Sequence, residues 1–281
     1  MSDYLIMKKL QARSGQRGMG LVELMISMVI GLILLGTLTY FYLGSRQISR
    51  THDDLSRMEE SGRNAMEIIG KAVRQAGFRL DVNNLLYVNP ANNVGALIGT
   101  DGGGAAPGDA GAAMAPSDTL TIRHDPSWRE HVTNPIYGRE ANCAGATITS
   151  NNNVDTTTGV IPPNTAVVEY VFSVSNTIGL LCGTAVGAVG GVIVDNIERM
   201  QITYGLRDAT GAITSYIAAP TAAQFAQVAA VQVSLLVRGP SVGITANNSQ
   251  TYTFNGETVT STDGFLRQVF TSTFTVRNQA L

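Results

Sequence analysis

From Leu24 to Ser45 the chain runs for 22 residues without a charge, most of them Leu, Ile, Val, Met and Phe. At 1.5 Å per residue such a helix crosses a hydrocarbon core of about 30 Å, so the run reads as a membrane span. Ahead of it stand Lys8, Lys9, Arg13 and Arg17 against the single acid Asp3, a local charge of +3 in a chain of net charge −2. That basic head places the N-terminus in the cytoplasm and sends the acidic remainder across the membrane. A secretory signal would have a shorter apolar stretch followed by a small-residue cut site. Here the exit, TLTYFYLGSRQ, offers no such site, and one carboxylate, Glu23, sits at the mouth of the run.

The junction itself, RGMGLVELMIS, sets Gly18, Met19 and Glu23 at fixed offsets behind a basic leader. It resembles the type IV prepilin signature. The resemblance implies that a prepilin peptidase cuts between Gly18 and Met19 on the cytoplasmic side, and that the new amine of Met19 is N-methylated. Met19 stands where phenylalanine is commoner, and Gly20 where threonine or serine is commoner. It further implies that Glu23, fifth in the mature chain, is an assembly carboxylate that pairs with the N-terminal amine of a neighbouring subunit. A membrane carboxylate costs roughly 2.5 to 3.5 kcal/mol at a helix centre and less near the interface, which gives such a pair its reason. The plainer alternative is that Glu23 snorkels into the headgroups; it leaves Gly18 and the missing signal-peptidase site unexplained.

Beyond Arg46, the residues Ile48, Leu55, Met58, Met66, Ile69, Val73 and Ala76 recur at sums of three and four among Arg, Asp, Glu and Gln. The membrane helix therefore continues as an amphipathic one, and Gly77 is placed to end it. From Met19 to Ala76 it would be about 85 Å long. Gly31, Gly36, Gly62 and Gly70 are expected to weaken it locally. A generic coiled coil is the competing reading of the stripe; its shortness and the β-rich region after it argue against that. His52 falls on the polar side of the spine.

The remainder reads as a β-rich head. Residues 81 to 118 are rich in Asn, Gly, Ala and Pro and are expected to be irregular. Their glycines match no phosphate-cradling motif, and a calcium loop using Asp101 and Asp109 is a weaker reading than a surface loop. Strand-like stretches follow at 119–125, 165–175, 192–208, 230–239, 250–256 and 266–278. In the last, Leu266, Phe270, Phe274 and Val276 alternate with Arg267, Thr271, Thr273, Thr275 and Arg277, a period of two with one buried face. DATG at 208–211 reads as a hairpin turn. The expected fold is thus α+β and type IV pilin-like: a leader over 1–18, a spine helix over 19–77 with its membrane segment near 24–45, and an antiparallel β-sheet head over 78–281. Met58, Met66, Ile69 and Val73 would share a core with the strands.

AMEIIGKAVRQAGF at 65–78, DNIERMQITYGLRD at 195–208 and VFTSTFTVRN at 269–278 resemble the PilW family of minor pilins. That resemblance implies a non-enzymatic subunit that joins other minor pilins in a complex initiating and capping the type IV pilus, in support of motility and adhesion. Its implied partners are those minor pilins, the major pilin, the prepilin peptidase, the inner-membrane assembly platform and a tip adhesin. The chain would sit in the inner membrane before assembly and at the pilus surface afterwards. The same pieces also suit a large minor pseudopilin of type II secretion.

Other chemistry finds little support. A pI near 5.9 argues against nucleic-acid binding. RHDPSWREH, from Arg123 to His131, is dense in polar groups but lacks metal-ligand spacing and reads as a surface loop, so no catalytic residue, metal or cofactor is assigned. Likewise, CGTAVGAVGG from Cys182 fits a loop better than a cofactor site. Cys143 and Cys182, too few for a structural zinc site, would lie in the oxidising periplasm and are expected to form a disulfide; two separate buried thiols are the alternative.

Overall fold

The computed structural model describes residues 20–78, 96–102, 117–124, 128–131, 136–143, 145–151, 168–175, 178–184, 190–243, 245 and 248–278. Its first element is one helix, α1 (Leu21–Gln75). Fourteen strands follow: β1 (Leu97–Thr100), β2 (Thr119–His124), β3 (Trp128–His131), β4 (Ile136–Ala141), β5 (Thr147–Asn151), β6 (Val168–Ser175), β7 (Gly179–Gly183), β8 (Gly191–Asp195), β9 (Ile197–Arg207), β10 (Ile213–Ile217), β11 (Val228–Arg238), β12 (Gln250–Phe254), β13 (Glu257–Ser261) and β14 (Arg267–Thr275). A short helix, α2 (Ala222–Phe225), precedes β11. The chain divides into two units, residues 1–49 and 50–281.

In the larger unit the strands form two main sheets, ordered β1-β2-β6-β7-β8 and β10-β9-β11-β14, with a β12-β13 hairpin and a three-stranded β3-β4-β5 sheet. The pairings are antiparallel throughout. Met58, Ile69 and Val73 of α1 are fully buried in one core with Leu97, Leu120, Phe172, Ile202 and Val233, and Met66 packs against it. The amphipathic stripe meets the strands as its periodicity requires, because only that face of the helix can leave water.

α1 ends where the glycine stands. Gly77 has φ +73°, a conformation that disfavours a side chain, and its N–H donates to the Arg123 carbonyl of β2 at 3.0 Å. A Cβ there would lie 2.8 Å from the carbonyl oxygen of Asn278, just past β14. The DATG turn forms as expected: Asp208 accepts from the N–H and hydroxyl of Thr210 and from the Ala212 N–H, and Gly211 takes φ +86°. Those bonds, the Thr210 hydroxyl first, hold the Asp208 carboxyl below its usual range.

Four expectations are corrected. The stretch 192–208 is two strands: Asn196 adopts φ +70°, and the chain passes there from β8 in one sheet to β9 in the other. Asn tolerates that left-handed conformation, so one apolar run can serve two sheets. Residues 81–118 include β1 at Leu97–Thr100, a short edge strand paired with β2; 79–95 and 103–116, with Asp109, lie outside the described residues. RHDPSWREH is no single loop, since Arg123 and His124 end β2 in buried positions and Trp128–His131 form β3. Arg123 is tolerated there because Glu169 stands directly opposite on β6 and pairs with it.

The fourth correction concerns the glycines. Gly62 and Gly70 are where the last strand reaches the helix: the Phe270 ring comes within 2.6 Å of where a Gly62 Cβ would be, and the Phe274 ring covers Gly70 in the same way. Gly31 and Gly36 have nothing within 4 Å of theirs. Gly70→Leu is therefore expected to lower the thermal stability of the head by about 1 to 3 kcal/mol through overpacking. Gly31→Ala is expected to leave it unchanged. Thermal unfolding followed by near-UV circular dichroism separates the two.

Candidate functional site

The first half of α1 is apolar and bare. Leu24, Ile33 and Leu38 are 56%, 61% and 64% exposed, and the exposed large apolar residues continue from Leu21 to Leu43. Burial of one such side chain is worth about 1.5 to 3 kcal/mol, so a surface of this size demands lipid or protein around it. Among the described residues this is one helix long and apolar enough to cross a membrane. The hydroxyls of Ser27, Thr37 and Thr39 are satisfied internally: Ser27 donates to the Glu23 carbonyl, Thr37 to Leu34 and Thr39 to Leu35, at 2.7 to 2.8 Å. No water is needed to hold them, as hydrocarbon requires. At the far end Arg46 lies 4.8 Å over the Tyr42 ring, following Tyr40 and Phe41. Aromatic rings followed by a cation are the side chains that settle at a membrane interface.

Glu23 occupies the first turn of α1, where the helix opens with the Glu23 and Leu24 N–H groups donating to the Gly20 carbonyl at 2.9 and 3.2 Å. A carboxylate there is favoured by the positive end of the helix dipole. Among the described residues no cation pairs with it. Gly18 and Met19 lie outside the described residues, so Glu23 alone of the three junction residues has a structural setting.

The cysteines are joined: Cys143, in the connection between β4 and β5, and Cys182 of β7 form a disulfide with Cα atoms 5.7 Å apart. Cys182 is buried opposite Phe172 of β6. The bond therefore fastens the three-stranded sheet to the five-stranded one, and the Tyr170 hydroxyl, donating to the Ala141 carbonyl at 3.5 Å, lies beside it. It closes a loop of 39 residues, worth roughly 4 kcal/mol in the chain-entropy model. The Cys143→Ser, Cys182→Ser double variant is expected to lose about that much in chemical denaturation, with amide exchange rising first in residues 136–151.

The sequence gives no sign of the most polar interior of the head. Arg267, which the alternation of β14 puts on the solvent side, is buried. Its guanidinium donates to both oxygens of Glu198 at 2.6 and 2.9 Å, to both of Asp263 at 2.7 and 2.6 Å, and to the Ser261 hydroxyl at 2.7 Å. The bonds from Arg267 hold the Asp263 carboxyl well below the usual carboxylate range. The cluster joins β9, β14 and the segment after β13, and so seats the β12-β13 hairpin. Nothing local in the sequence brings Glu198 to Arg267, which lies 69 positions further along the chain. Asp54 of α1 is likewise buried, accepting from the Ser241 N–H and hydroxyl at 3.1 and 3.0 Å. Asp118 is held by the Gly102 and Ile202 N–H groups at 2.9 and 2.7 Å, and burial raises its carboxyl despite those bonds. These are structural contacts, each bonded inside the fold. Among the described residues no group of three His, Cys, Asp or Glu could hold a metal ion.

Comparison with known proteins adds the following. The family model described as Type IV Pilus-assembly protein W matches residues 170–278, and that of the Prokaryotic N-terminal methylation motif matches 13–39. No curated protein matches the chain. Among solved structures, the type IV-like pilin TTHA1219 from Thermus thermophilus is similar at 12% identity and a TM-score of 0.37, over 83% of this chain and 100% of that one. The first match covers β7 to β14 together with most of β6, and the second covers the junction around Gly18 and Glu23 and the start of the bare helix.

Proposed function

We propose that the chain, whose residues 170–278 match the Type IV Pilus-assembly protein W model and whose residues 13–39 match the N-terminal methylation motif, is a PilW-type minor pilin: a structural, non-enzymatic subunit that joins other minor pilins in the complex that initiates pilus assembly and caps the pilus. The observation that carries this reading is the bare apolar helix with Glu23 in its first turn. Such a helix has two homes, a bilayer and a bundle of like helices, and assembly moves it from one to the other. Before assembly the chain is held in the inner membrane with its head in the periplasm, where the disulfide forms; afterwards it stands at the pilus surface. The prepilin peptidase acts on Gly18 and Met19, and Met19 becomes the methylated N-terminus. The head, in which the buried carboxylates Asp54, Asp118 and Glu198 are each hydrogen-bonded within the fold, presents surfaces to the major pilin, the assembly platform and a tip adhesin.

Processing is tested by intact-mass analysis of membrane material, which is expected to show a chain beginning at methylated Met19. An unprocessed N-terminus in cells with active peptidase contradicts it. Membership of the complex is tested by co-purification: the solubilised chain is expected to bring down other minor pilins. Co-purification with type II secretion pseudopilins instead transfers the chain to that system.

A further inference from the structure

Sheets end in edges, and an unpaired edge invites another strand unless it is short, bulged, charged or interrupted by proline. Three of the four edges of the two main sheets are guarded in this way. β1 has four residues. β8 has five, with a register shift against β7 between Leu180 and Leu181. β10 has five, with a shift against β9 between Ile213 and Ser215. β14 has none of these defences. It pairs with β11 over nine residues without a register shift, from Arg238↔Arg267 to Ala230↔Thr275, and Gln268 to Val276 contain no charge and no proline.

The open side of β14 can be read from its bonds. Gln250 accepts the Arg267 N–H through Oε1 at 2.7 Å and donates to the Arg267 carbonyl through Nε2 at 2.8 Å, so Arg267 turns its backbone away from β11. The amide of Gln250 thus does at one residue what a neighbouring strand would do along the whole edge. By the alternation of an antiparallel ladder, Val269, Thr271, Thr273 and Thr275 face the same way. Among the described residues nothing bonds those four N–H and C=O groups, and Thr271, Thr273 and Thr275 are exposed.

The sequence of the edge reads FTSTF from Phe270 to Phe274, the same in both directions. We propose that β14 is a homotypic docking edge, which pairs antiparallel with β14 of a second copy of this chain about a two-fold axis at Ser272. In that register Thr271 faces the other copy's Thr273, and each outward residue meets an outward residue, so every pair exchanges two hydrogen bonds. Phe270 meets Phe274 across the axis, an aromatic pair whose rings are already seated over Gly62 and Gly70. Arg267, at the end of the contact, brings no repulsion because Glu198 and Asp263 neutralise it. The contact is isologous and closes at two copies. A two-fold normal to the sheet reverses the direction of the helix packed on it.

The test uses the full-length chain in detergent micelles, which impose no common membrane plane. Ser272 of the two copies would form a non-hydrogen-bonded pair with Cα atoms about 4.5 Å apart, within disulfide range. Ser272→Cys is expected to give a covalent dimer on mild oxidation, and Thr214→Cys on the guarded edge β10 is not. Thr273→Lys, a charge on an exposed position outside the core, is expected to cut the Ser272→Cys dimer yield about tenfold or more. No Ser272→Cys dimer, equal yields for the two cysteines, or a yield unmoved by Thr273→Lys would each overturn the proposal. Because the readout is a strand contact in micelles, its failure leaves the pilus-assembly reading standing.

Discussion

Glu23→Val is expected to be exported, cleaved after Gly18 and folded with its Cys143–Cys182 disulfide formed, yet to enter the minor pilin complex poorly. Valine makes the helix easier to insert, so a carboxylate that merely snorkels would be dispensable and the variant would behave as wild type. If Glu23 instead pairs with the amine of a neighbour in a low-dielectric setting, its loss leaves that amine buried and unpaired, at about 3 to 5 kcal/mol for breaking one partner of a buried ion pair. A factor of ten in an equilibrium is 1.4 kcal/mol, so co-purification with partner minor pilins and pilus counts should fall at least about a hundredfold. Glu23→Gln should behave like valine, since it keeps the shape and removes the charge. Normal co-purification in both variants would return Glu23 to the headgroups while leaving the cleavage site untouched.

Arg267→Met is expected to be the most damaging substitution in the head, lowering its unfolding free energy by about 3 to 5 kcal/mol. The loss comes from what remains: Glu198 and Asp263 keep their charges in a site built around a guanidinium that has gone. Adding Glu198→Gln and Asp263→Asn should recover part of it, since neutral partners have less to lose by burial. The pH dependence carries a sign. Arg267 holds the Asp263 carboxyl below its unfolded value near 3.9. The contribution is therefore fully present above that value and lost as pH falls through the depressed folded one. Urea unfolding of wild type between pH 5 and 2 should show this acid-side loss, and the Arg267→Met variant should lack it. A parallel pair of curves would mean that the cluster contributes nothing to acid stability.

What was legible in the sequence, and what was not, divides along a physical line. Patterns set by one element were readable: the apolar run from Leu24 to Ser45, the stripe through Met58, Ile69 and Val73, the turn at Asp208 and the alternation of the last strand all follow from local periodicity or turn chemistry. The disulfide was readable from compartment and count. Features that depend on two distant segments meeting were not. Gly62 and Gly70 look like helix weaknesses until Phe270 and Phe274 arrive over them. Arg267 looks like a solvent residue until Glu198 meets it 69 positions away in sequence. The three-stranded β3-β4-β5 sheet was missed because its strands are four to six residues long and polar, with little apolar alternation to announce them. Asn196 hides a change of sheet inside what reads as one long strand. At the candidate site, Glu23 and its junction were visible from spacing alone, because a lone carboxylate at the mouth of an apolar helix stands out without any fold.

The proposed place of this chain in pilus assembly is tested most directly in a strain lacking it, scored for surface pili and for secreted exoproteins together. Loss of pili and of twitching, with secretion normal and with piliation restored by the wild-type chain but not by Glu23→Val, is the expected result. Normal pili with secreted exoproteins lost would contradict it.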